Sequence, residues 1–122
     1  MKQLPILGVL LFALASNLPL NANSASAAYK RGVHEENANH YDQAYEAYRQ
    51  AHELKPSDPK YLAAYTRMRF YAAVDHVRNG QQLEMAGKLE EALQEFQVAS
   101  QIDDTNFVAK QEIRQEIGRA HV

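Results

Sequence analysis

Four of the five histidines, His34, His40, His52 and His76, and three adjacent acid pairs, Glu35-Glu36, Glu90-Glu91 and Asp103-Asp104, are the side chains of this chain best suited to chemistry. Histidine and carboxylate together ligate divalent cations or pass protons. The spacing argues against both. No two histidines stand four apart around a carboxylate in the H-E-x-x-H manner, so they read as scattered surface residues. Adjacent residues of a helix point apart, so the acid pairs read as solvated helix faces and a turn. The sequence also lacks cysteine, a nucleophile elbow and a glycine-rich phosphate loop. It is therefore read as non-enzymatic, with no catalytic residue, no metal site and no cofactor.

The elements that carry these residues repeat. Gly32 and Gly80, Ala38 and Ala86, Tyr41 and Leu89, Ala44 and Ala92, Tyr48 and Phe96, Ala51 and Ala99, and Leu54 and Ile102 each stand 48 residues apart. Self-similarity at such a period marks stacked helical units, each burying its apolar face on a neighbour. Between residues 28 and 116 there are only two prolines and three glycines, and no stretch alternates as strands do. The expected fold is all-α, with helices over 29–38, 41–55, 60–86, 88–102 and 107–116.

Asn39-His40, Pro56 and Gly87 punctuate these helices, and Asp58-Pro59 starts the third as N-cap and first-turn proline. That helix spans about 40 Å at 1.5 Å per residue. Two apolar stripes run along it, Tyr61, Tyr65, Met68 and Ala72 on one side and Phe70, Val74 and Val77 on another, so neighbours are expected on two faces. Ala44, Tyr48, Ala51, Leu54, Ala92, Phe96, Ala99 and Ile102 are the expected repeat core, with Tyr41 and Tyr45 packed between helices.

The N-terminus reads as an address. A basic start at Lys2, an apolar run over 4–15 and the close Ala25-Ser26-Ala27 form a secretory signal peptide over 1–27, with cleavage expected between Ala27 and Ala28. A run of about a dozen apolar residues is short of the roughly twenty that span a bilayer. The remaining chain carries 15 acidic and 12 basic side chains, a net of −3. The basic residues are interleaved with acids, which excludes a nucleic-acid binder on charge grounds. The stretch 117–122, Ile-Gly-Arg-Ala-His-Val, resembles a translated sequencing-adapter frame and is expected to be a non-native tail, leaving 28–116 as the helical domain.

The segment Asn39-His40-Tyr41-Asp42-Gln43-Ala44, continued by Tyr48, Ala51 and Pro56, resembles the second half of a tetratricopeptide repeat. Gly87-Lys88-Leu89-Glu90-Glu91-Ala92, continued by Phe96 and Ala99, resembles a second copy, with Asp104 at the family's usual proline. The family period is about 34, and the 48 found here adds about four helical turns. Signal peptide, repeat, long helix with Thr66-Arg67-Met68-Arg69-Phe70, and second repeat together resemble the N-terminal region of bacterial outer-membrane secretins of type II secretion and type IV pilus systems.

That resemblance implies an exported interaction scaffold at the periplasmic face of the outer membrane, touching the membrane only through further domains downstream. It also implies a groove lined by the first helix of each unit: Tyr29, Val33, Glu36, Asn37, Val77, Gln81, Glu84 and Met85. The expected partner is a helical or extended protein segment, or a second copy. A free-standing periplasmic adaptor and the spacer of a longer exported enzyme are the alternative readings.

Overall fold

The computed structural model describes residues 24–120. They form five helices: α1 (Ala25–Asn37), α2 (Tyr41–Leu54), α3 (Pro59–Met85), α4 (Leu89–Ile102) and α5 (Phe107–Ala120). The described residues contain no strand, and consecutive helices pack on one another. The 48-residue offset recurs in the helix boundaries. Residues 59–72 of α3 correspond to α5, residues 73–85 to α1, and α2 to α4. The long α3 is thus two elements fused end to end, which accounts for the four extra turns.

The turns repeat as closely as the helices do. At the end of α1, the Asn39 N–H bonds to the Glu36 carbonyl and the His40 N–H to the Glu35 carbonyl; at the end of α3, Gly87 bonds to Glu84 and Lys88 to Leu83 in the same pattern. This is the Schellman closure, which requires a left-handed residue just past the helix. Asn39 (φ 60°) and Gly87 (φ 78°) supply it. The second turns match as well. The Asp58 side chain caps α3 by accepting from the Lys60 N–H at 2.9 Å, and Asn106 caps α5 by accepting from Ala109 at 2.9 Å.

Packing explains the glycines. A Cβ built on Gly32 would approach the Tyr48 ring closer than 3.0 Å, and one on Gly80 would meet the Phe96 ring in the same way. Each unit therefore seats an aromatic of its second helix directly on the backbone of its first. Tyr48, Phe96 and Met68 are the largest fully buried side chains. Among the described residues, ten of the fifteen buried apolar side chains are alanine. Backbones consequently approach closely, and the few large side chains carry most of the buried area.

Several expectations change. α1 begins at Ala25, four residues early, because Ser24 accepts from the Ala27 N–H and Ala28 packs with Ala51 and Tyr61. The expected cleavage bond therefore lies inside α1, while residues 1–23 of the expected signal peptide lie outside the described residues. Residues 117–120 of the expected tail continue α5, and 121–122 lie outside the described residues. Leu54, expected in the core, is half exposed, whereas Ile102 packs against Ala73, Val77, Ala99 and Ala109.

The second stripe of α3 is displaced too. Phe70 and Val74 are exposed, Val77 is buried as expected, and Ala73 and Gly80 are buried with it. The first half of α3 buries Tyr61, Ala64, Met68 and Ala72. Passing from Ala72 to Ala73 turns the buried stripe about 100° around the helix. One neighbour pair thus gives way to the other on an adjacent face.

Candidate functional site

The eight expected groove residues are divided by packing. Tyr29 sits among aromatics, its ring 5.4 Å from Tyr48 and 5.2 Å from Tyr61, with the Lys60 ammonium 4.8 Å from its centroid. Val33 packs on the Ala44–Tyr48–Ala64–Met68 cluster, and Val77 is buried. These three hold helices together and offer a partner little. Glu36 and Glu84, one repeat apart, tie the first helix of each unit forward. Glu36 accepts from the Tyr48 hydroxyl at 2.5 Å and from Arg67 at 2.8 Å; Glu84 accepts from Arg119. Gln81 is exposed and donates to Glu112 at 3.1 Å. Asn37 and Met85 are exposed, Met85 at 82 %.

The accessible surface continues from Gln81 and Met85 along α3. Ala63, Arg67, Phe70, Val74, Arg78, Gln81 and Met85, spaced three and four apart, form an unbroken exposed stripe with Tyr71 beside it. Phe70 meets Tyr71 edge-on at 5.5 Å, and Tyr71 stacks on Tyr41 at 6.1 Å. The apolar residues at its middle are bordered by arginines whose charges are already matched: Arg67 by Glu36 and Arg78 by Asp75. An apolar, charge-balanced stripe can take the apolar edge of a helix or strand. Gln81 and Met85 at its end belong to the expected groove, whereas Phe70 and Val74 at its middle read in the sequence as an apolar stripe facing a neighbour.

A depression of about 770 Å³ lies along α1 and α2, lined by Ala47 and by Arg31, Glu35, Asp42, Glu46, Arg49 and Glu53. Its rim is braced internally. Arg31 donates to Gln50 at 2.6 Å, and Arg49 bonds Glu46 at 2.8 Å and Glu53 at 2.6 Å. The Arg49 hydrogen bond holds the Glu46 carboxyl below its ordinary range.

The polar residues also depart from expectation. His76 is not a surface histidine: its two ring nitrogens meet Glu95 and Asp42, and only 14 % of the side chain is exposed. His52 stacks on Tyr65 at 5.7 Å, with Nδ1 buried and without a hydrogen-bond partner. Glu35 engages His40 at 2.8 Å. Asp103 is buried and accepts from the Thr105 N–H and hydroxyl at 3.0 and 2.5 Å, closing the turn before α5. Glu90 and Glu91 are exposed.

Tyrosine ionisation is suppressed where the rings pack. Tyr48 is raised above its ordinary value, by burial first and the Glu36 hydrogen bond second. Tyr45, stacked on Tyr65 at 5.5 Å, is pushed up to about 12, by burial and then by the Tyr65 hydroxyl.

Among the described residues no cluster of three or more His, Asp or Glu is arranged to hold a metal ion, and no helix is long and apolar enough to cross a membrane. No protein-family model matches the chain, and no curated protein matches it.

Proposed function

We propose that this chain is an exported, non-enzymatic protein–protein interaction scaffold of the tetratricopeptide type, forming the periplasmic N-terminal part of an outer-membrane secretin for protein secretion or pilus assembly. The observation that carries the scaffold reading is the double glycine–aromatic seat, Gly32 with Tyr48 and Gly80 with Phe96, in units closed by the same turns. Units of this kind are built to be stacked and to present their outer surfaces to other chains. Phe70, Tyr71 and Val74 on α3 are the contact residues of this reading, replacing Tyr29, Val33 and Val77. They take the apolar side of a helical or extended protein segment, or of a second copy.

The test is the gene itself, read across codons 105–140 in genomic DNA. Continuation into ring-forming and barrel domains supports the secretin assignment. A stop directly after Val122 ends it and leaves the free-standing adaptor.

A further inference from the structure

His76 stands where the two units meet. From the middle of α3 its Nδ1 lies 2.5 Å from Glu95 Oε2 on α4, and its Nε2 lies 2.9 and 2.8 Å from the two Asp42 oxygens on α2. Ionised carboxylates only accept hydrogen bonds, so the arrangement is complete only when both ring nitrogens carry protons. A neutral imidazole has one donor and leaves its other lone pair facing a carboxylate. From α2 the ring faces Asp42 and from α4 it faces Glu95, while the adjacent Asp75 on α3 is engaged by Arg78. The imidazolium is thus the cation that holds these two carboxylates together.

We propose that His76 is a pH-sensitive clasp, tying α2 of the first unit to α4 of the second across α3 while protonated and releasing them when it loses its proton. Because α3 is one continuous span, the attitude of one unit to the other depends on how α3 bends and on what links α2 to α4. Opening the clasp frees that bend.

Burial alone would lower the histidine, but the hydrogen bonds and charges of Glu95 and Asp42 outweigh it and raise His76 above 6.5. A group raised on folding contributes fully below its unfolded value and loses that contribution as pH rises through its native value. The clasp is therefore closed in acid and opens as the solution becomes alkaline.

The chain has no cysteine, so spin labels at Lys30→Cys on α1 and Gln97→Cys on α4, both exposed, report the distance between units without background. Pulsed dipolar spectroscopy is expected to give a narrow distribution at about pH 5.5 and a broader or displaced one at about pH 9, the midpoint tracking the His76 ring resonances in NMR. H76Q is expected to give the open distribution at every pH. D42N, changed at an exposed position, is expected to move the midpoint to lower pH. Far-UV circular dichroism separates an open clasp from a lost fold, and if H76Q unfolds, D42N decides. A distribution insensitive to pH, an equal pH response in H76Q, or a His76 titrating at or below 6.5 overturns the clasp.

Discussion

Gly32 and Gly80 are each occupied, on the side where a Cβ would project, by the ring of Tyr48 or Phe96. Alanine at either position must displace a fully buried aromatic, a rearrangement worth about 1–3 kcal/mol. Gly32→Ala and Gly80→Ala are each expected to lower the unfolding free energy from urea melts by that amount, while Gly118→Ala, with open space around it, is not. Tyr48 differs from Phe96 by a hydroxyl given to Glu36, which keeps Arg67 when the hydroxyl is removed. Tyr48→Phe is therefore expected to cost only about 1 kcal/mol at neutral pH.

The same hydroxyl governs behaviour in base. Tyr48 is raised on folding from 10.0, so its contribution is intact below that value and falls as pH rises above it. Urea melts at about pH 9 and about pH 11 are expected to show a smaller alkaline loss in Tyr48→Phe than in the parent chain. An equal loss in both would assign the alkaline sensitivity to Tyr45 or other groups.

Among the elements, the two Schellman turns give a matched pair of experiments. Gly87 and Asn39 occupy the same left-handed position one repeat apart, and a side chain there costs about 1–2 kcal/mol unless it is asparagine or aspartate. Gly87→Ala is expected to destabilise by about 1 kcal/mol, whereas Asn39→Gly is expected to be neutral or slightly stabilising. α3 is the shared element. Val74, near its middle, is exposed and belongs to neither buried stripe, yet Val74→Pro removes a helical hydrogen bond and is expected to cost about 3 kcal/mol or more. Val74→Ala at the same place is expected to leave the melting curve within about 0.5 kcal/mol.

Over the whole molecule, no unit owns all of its core. Met68 from the first half of α3 completes the first unit, and Ala109 from α5 completes the second. Stability of such stacks approximates a sum over units and their interfaces, and cooperativity depends on the interfaces. Because α3 passes through both units, a single urea transition is expected by circular dichroism and by tyrosine fluorescence. Separate midpoints for the two probes would show that the units unfold independently.

Local signals carried the reading of the elements. Pro59 behind Asp58 and the left-handed residues Asn39 and Gly87 act within a turn or two of the chain, and the small and aromatic residues recur openly at 48, so helix number, the length of α3 and the Ala44–Tyr48–Ala51 and Ala92–Phe96–Ala99 cores were legible in the sequence. The sides of the helices were not. Phe70 and Val74 are as apolar as Ala73 and Val77, and only the placement of α4 and α5 on one side of α3 decides which pair is covered. Leu54 and Ile102 likewise share a repeat position, yet Leu54 is half exposed while Ile102 packs against Ala73, Val77, Ala99 and Ala109.

His76 makes the same point for charge. Its partners Asp42 and Glu95 lie 34 and 19 residues away on different helices. Residue type and spacing within one helix therefore show a solitary surface histidine. Backbone geometry is settled by neighbours in the chain, whereas burial and ionisation are settled by neighbours in space, which exist only once the helices have packed.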